Sequence, residues 1–186
     1  MRSQGWLRQN LLALAVVAVL LPATLWVTFA NQWFGYYDGR PSRPIEVATG
    51  DAVEYGSATW QIESTERFSA ISATGKERDL PPGTDLVVVE VRVDPSDAPV
   101  DEDAELCLAQ LEETGPPARM WGNVRSSPII LDGATPEFGS CRPGQDTPYT
   151  FEAEFIVPAD AGENGRLALH IVQATELPEY ARFALD

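Results

Sequence analysis

The chain has 186 residues, a formal net charge of −15, one histidine and two cysteines. That length fits one globular domain with an appendage and excludes a multidomain enzyme. Residues 31–186 carry 11 basic residues against 28 acids, net −17, a surface that repels phosphate backbones and excludes a nucleic-acid partner. One histidine and two cysteines also leave too few ligands for a zinc site, so no cofactor is expected.

The first element is apolar. Leu11 to Ala30 reads LLALAVVAVLLPATLWVTFA, twenty residues without a charge. As a helix it covers roughly 30 Å, the hydrocarbon thickness of a bilayer. Arg2 and Arg8 precede it, which places residues 1–10 in the cytoplasm and the remainder outside, in a single-pass cell-membrane topology. Trp6 marks one interface, and Trp26, Trp33, Phe34, Tyr36 and Tyr37 crowd the other, as amphipathic rings do at headgroups. Pro22 sits mid-span, where Thr hydroxyls and local adjustment compensate for the missing N–H. The alternative is a cleaved signal peptide ending at the small-x-small run Thr28-Phe29-Ala30. Signal cores run about 7–15 apolar residues, so an uncleaved signal-anchor is expected. Residues 31–44, closing with the Gly- and Pro-rich DGRPSRP, read as a juxtamembrane linker.

Period-two patterning dominates residues 45–186. Val87, Val89, Val91 and Val93 share one face of Leu86–Asp94, opposite Glu90 and Arg92. Tyr149–Val157 alternates Tyr149, Phe151, Ala153, Phe155 and Val157 with Thr150, Glu152 and Glu154. Leu167, Leu169 and Ile171 repeat the pattern. Further strands are expected over Ile45–Thr49, Ala58–Ser64, Leu106–Glu112 and Tyr180–Leu185, while Arg119–Gly139 reads as a long loop or an irregular edge strand. Seven short strands with turn clusters between them predict two packed antiparallel sheets, each covering the other's apolar face.

Cys107 and Cys141 both follow the span, and an outward, oxidising compartment predicts a disulfide between them. Closing 34 residues stabilises by roughly 3–4 kcal/mol on the loop-entropy model. Cys107 shares its strand face with Ala109 and Leu111, which points its sulfur inward.

Several motifs occur in a fixed order. Pro82-Gly83 precedes the strand LVVVEVRV; a strand with Leu108 and Leu111 leads to Gly115; Pro143-Gly144-Gln145 precedes a strand ending Phe155-Ile156-Val157-Pro158. This order resembles the immunoglobulin-like extracytoplasmic domains of unknown function found on bacterial lipoproteins and single-pass membrane proteins. The resemblance spans about Val53 to Val172. It implies an immunoglobulin-like antiparallel β-sandwich outside the cytoplasm, and no catalytic residues.

The candidate chemistry is sparse. His170 lies in a strand with no G-x-S-x-G elbow to serve, so a sheet-face role is expected. Glu152 and Glu154 share a strand face about 7 Å apart, within the range of inverting glycosidases, but read as solvated outward acids. The acidic run Asp94–Glu105, with Asp97, Asp101, Asp103 and Glu105, offers oxygen ligands for calcium without the spacing of a helix-loop-helix site, so a solvated loop is expected. Trp121 with Arg119 and Arg125 is the candidate binding surface, an aromatic between arginines on an acidic domain. The expected function is a membrane-anchored, noncatalytic extracytoplasmic interaction domain of the bacterial envelope. Its partners would be the bilayer and an envelope protein or glycan. The alternatives are a carboxylate-dependent envelope hydrolase and a calcium-dependent adhesion or structural module.

Overall fold

A computed structural model describes residues 3–96, 107–124, 139–142, 145–163 and 165–185. The chain divides into two compact units, Met1–Arg40 and Pro41–Asp186.

The first unit is a single helix, α1 (Ser3–Asp38). Its Leu- and Ala-rich sequence is a strong helix former, and Pro22 is carried inside it. Thr24 and Thr28 turn their hydroxyls back onto the carbonyls of Leu20 and Thr24, at 2.6 and 2.9 Å, so neither leaves an unbonded hydroxyl on the apolar surface of the helix. The helix runs eight residues beyond the expected linker boundary at Ala30. The stop signals are Gly39 and Pro41: Gly39 N–H closes the last turn on Gly35 O, and a proline disfavours helical geometry at the residue before it. At this end Trp33, Tyr36 and Tyr37 pack ring on ring, and the Arg40 guanidinium lies 3.9 Å over Tyr36. The stretch Gln9–Asp38 is long and apolar enough to cross a membrane.

The second unit is a β-sandwich. In chain order it comprises β1 (Arg43–Val47), β2 (Ala52–Tyr55), β3 (Ala58–Ser69), the short helix α2 (Ala73–Glu77), β4 (Thr84–Pro95), β5 (Cys107–Glu113), β6 (Arg119–Gly122), β7 (Tyr149–Pro158), β8 (Leu167–Gln173) and β9 (Glu179–Ala184). One sheet has the order β1-β9-β8-β5-β6 and the other β2-β3-β4-β7. All pairings among these are antiparallel except β1 with β9, which runs parallel. The first and last strands need no tight turn between them, so nothing forces them antiparallel.

The alternating faces meet as expected. Val87, Val89, Val91, Phe151 and Phe155 from one sheet pack on Leu111, Leu169, Ile171 and Phe183 from the other. Trp60 is buried with its indole N–H on Tyr55 O at 2.8 Å and its ring edge-on to Phe151. Tyr55 links the sheets: its hydroxyl donates to Glu179 O and accepts from Gln173 N–H, both at 3.0 Å. Cys107 and Cys141 form a disulfide with their Cα atoms 5.9 Å apart, and Cys141 is part of the core.

One strand was not expected. β2 has four residues and two of its side chains are exposed, so its pattern is too short to read. β6, at the edge of its sheet, opens the stretch expected as a long loop or an irregular edge strand; residues 125–138 of that stretch lie outside the described residues.

Candidate functional site

The outward face of the five-stranded sheet gathers most of the polar chemistry. Residues whose neighbours point into the core point out, which places Glu46 of β1, Arg182 of β9, His170 of β8 and Glu112 of β5 on that face. Register puts Glu46 opposite Arg182 and Arg182 opposite His170, with Glu112 on the neighbouring strand. The four side chains form one chain of contacts. Arg182 Nη1 donates to both oxygens of Glu46, at 2.8 and 3.1 Å, and its Nε donates to Glu112 Oε2 at 2.8 Å. His170 Nε2 meets the same Glu112 oxygen at 2.8 Å.

His170 is only 5% exposed although it faces outward, and the Tyr180 ring packs against it at 4.7 Å. Burial lowers the imidazole pKa, outweighing the opposing pull of Glu112. Burial alone would raise the Glu112 carboxyl, but hydrogen bonds and charges from Arg182 and His170 together hold it below its ordinary value. Both directions describe a neutral imidazole donating Nε2–H to a carboxylate. The cluster thereby ties β1, β9, β8 and β5 together across the face of the sheet. Leu108 and Met120 share this face and are 45% and 53% exposed.

The sequence-predicted binding residues are partly brought together. Arg119 stacks over Trp121, 5.5 Å from the ring centre. Trp121 points inward and packs half-buried against the core. The Arg119 guanidinium also bonds Glu113 at 2.6 Å and Asp160 at 3.1 Å, while Glu113 accepts from Gly162 N–H at 2.9 Å. These side chains thereby tie β5 and β6 to the turn after β7. Arg125 lies outside the described residues, as do Asp97, Asp101, Asp103 and Glu105 of the proposed calcium loop. Among the described residues no group of three or more His, Cys, Asp or Glu side chains is placed to hold a metal.

Glu154 corrects the expectation of a solvated acid. It points outward from the four-stranded sheet, yet its side chain is 0% exposed and pairs with Arg78 at 3.2 Å. Its own N–H bonds Asn123 Oδ1 at 3.3 Å. The covering segment is α2 and the residues after it. Ser72 caps that helix by accepting from Gly75 N–H, and Arg78 follows it onto the sheet. Period-two patterning shows which way a side chain points, not what lies above it.

One end of the sandwich opens into a groove of about 840 Å³ lined by Arg67, Asp85, Ala161, Arg166 and Leu185. Arg67 crosses it, bonding Asp85 at 2.7 Å and the carbonyls of Ala161 and Ala159 at 2.7 and 2.9 Å. A smaller cleft of about 280 Å³ lies beside β3, between Ile62–Thr65 and Phe183–Leu185. The two share Thr49, Ala184 and Leu185.

No family model and no curated protein matches the chain. Among solved structures it is similar to an uncharacterized β-sandwich protein from Clostridium difficile. That match is 8% identical, has a TM-score of 0.42, and covers 79% of this chain and 96% of that one.

Proposed function

We propose that the chain is a membrane-tethered, noncatalytic interaction domain. In this reading α1 remains in the bilayer with residues 1–10 in the cytoplasm, and the sandwich binds an envelope protein or glycan on the far side. The observation that carries the reading is α1 itself. Its apolar window is 0% buried, with Leu12 79% and Trp26 74% exposed. Bare apolar surface on that scale is stable in lipid, not in water. The disulfide fits an oxidising compartment. The motif order that resembles bacterial immunoglobulin-like extracytoplasmic domains fits the same place. Its binding surface would be the outward face of the five-stranded sheet, where exposed Leu108 and Met120 flank the braced charges.

The test is extraction and topology. Membranes from cells expressing the full chain are washed with alkaline carbonate, and intact spheroplasts are treated with protease. The expected result is a chain retained in the membrane, cut only outside residues 1–30, and mature with its own N-terminus. A soluble product beginning near Asn31, or a sandwich protected from external protease, overturns the proposal.

A further inference from the structure

Among the described residues, the lower half of β3 has a strand on one side only. β2 pairs only with Ala58–Gln61, and among the described residues no strand lies on that side of β3 beyond Gln61. β4 holds the other side as far as Ser69, across a bulge between Ile62 and Ser64. Which main-chain groups this leaves open follows from the ladder. Ala70 N–H donates to Thr84 O, so Ala70 faces β4. Bonding alternates along an antiparallel strand, so Phe68, Glu66 and Ser64 also face β4, and Thr65 and Arg67 turn their N–H and C=O outward. Thr65, Glu66 and Arg67 are all exposed.

The space beside this edge is shaped for an added strand. Thr65 and Arg67 pair with Val89 and Val87, so their side chains, and those of residues opposite them on an incoming strand, point between the sheets. There the cleft of about 280 Å³ is floored by Ile62, Phe183 and Leu185, several times the roughly 30 Å³ that a water occupies. Residues opposite Ser64 and Glu66 would point the other way, beside the carboxylates of Glu63 and Glu66. The wider charge balance has the same sign. Arg67, Arg78, Arg92, Arg119 and Arg182 are all held in ion pairs within the fold, against a net −17 for residues 31–186.

We propose that the free edge of β3 from Ile62 to Ser69 is a strand-addition site for an extended segment of another protein in which aliphatic and basic residues alternate. Main-chain bonds to Thr65 and Arg67 give affinity, the cleft takes the aliphatic side chains, and Glu63 and Glu66 take the basic ones. This surface is separate from the outward face of the five-stranded sheet, and its proposal rests on the reading of the sandwich as a binding domain.

The probe is a fluorescein-labelled ten-residue peptide of alternating Val and Lys, titrated into the full chain in detergent micelles. Its control carries N-methyl groups on alternate amides, which keeps the charge and removes strand pairing. The expected result is saturable binding at least tenfold tighter than the control. Amide exchange should slow at least tenfold at Thr65 and Arg67, while Glu66 and Phe68, already bonded to β4, stay unchanged. Thr65→Pro should weaken binding at least tenfold with an unchanged thermal midpoint, because the lost N–H faces no strand among the described residues. Should that variant unfold, Glu66→Lys is expected to weaken binding while keeping the fold. No binding, equal affinity for the N-methylated control, or protection elsewhere than Thr65 and Arg67 overturns the site. Any of these with α1 still resistant to carbonate leaves the tethered-domain reading standing, whereas loss of carbonate resistance counts against the tether alone.

Discussion

The Arg78–Glu154 pair is the sharpest test of how the four-stranded sheet's outer side is held. The carboxylate is fully buried, the guanidinium is 11% exposed, and the two meet at 3.2 Å. Arg78 Nη1 is also buried and has no hydrogen-bond partner among the described residues. Removing either charge strands the other away from water. Glu154→Leu and Arg78→Met should therefore each cost about 3–5 kcal/mol, a large fraction of the roughly 5–15 kcal/mol that holds a domain of this size. The double variant removes both desolvation penalties. It should fall within about 1 kcal/mol of the parent or exceed it, far from the sum of the singles. Urea unfolding followed by Trp fluorescence reads this, since Trp60 is in the core and its emission shifts on exposure. A double variant as unstable as the two singles added together would refute the reasoning. Singles costing under about 1 kcal/mol would refute it as well, by showing that water reaches the pair.

Replacing Cys107 and Cys141 together by Ala should lower stability by about 4 kcal/mol, the loop-entropy value for a separation of 34 residues; equal urea midpoints with and without the bond would contradict this. Acidification should destabilise the sandwich through His170. Its folded pKa lies below the ordinary 6.5, so the unfolded chain binds the proton first. Stability is then lost as pH falls from 6.5 toward the folded value, by up to about 1.4 kcal/mol per pH unit. Glu112, whose pKa is lowered from 4.5, adds a loss of the same sign only below that pH. His170→Gln should flatten the decline between pH 6.5 and 5 in urea midpoints, and an equally steep decline in the variant would place its cause elsewhere. Gly165→Ala sets a methyl carbon 1.7 Å from Thr114 O, a backbone atom, so the thermal midpoint should fall by several degrees; an unchanged midpoint would mean that the turn relaxes freely.

The elements legible in the sequence were those whose signal is local. The runs Val87–Val93, Phe151–Val157 and Leu167–Ile171 each contain their own alternation, and each lies in a strand with that face inward. Direction of pairing has no such local signal, which is why the parallel β1–β9 contact was not foreseen: alternation is identical for parallel and antiparallel neighbours. α2, five residues long, is too short for a helical period to show, and its cap at Ser72 was the one available cue. In α1 the stretch Asn31–Asp38 contains no proline, and the chain obeys Pro41 rather than the change in polarity at Asn31.

The polar residues were harder because their environment is set by distant segments. Glu154 and His170 both sit at outward positions of alternating strands, and both are buried. Glu154 is closed over by a segment 76 residues away in sequence, and His170 by Tyr180 across the β8–β9 turn. The same long-range closure changes the meaning of the net charge. Counted along the sequence, the arginines dilute the acids evenly. In the fold, Arg78, Arg119 and Arg182 lie at or below 30% side-chain exposure and each faces a carboxylate, so they neutralise interior and edge acids first. Those pairs are neutral, so the net −17 of residues 31–186 is carried by the acids not engaged in them. Glu63, 36% exposed, meets Arg92 at 3.9 Å and accepts from the Thr150 hydroxyl at 3.4 Å, and Glu66 is exposed on the stretch of β3 that has, among the described residues, a strand on one side only. Open main-chain groups and exposed carboxylates thus lie within the same few residues, and a cationic strand satisfies both at once.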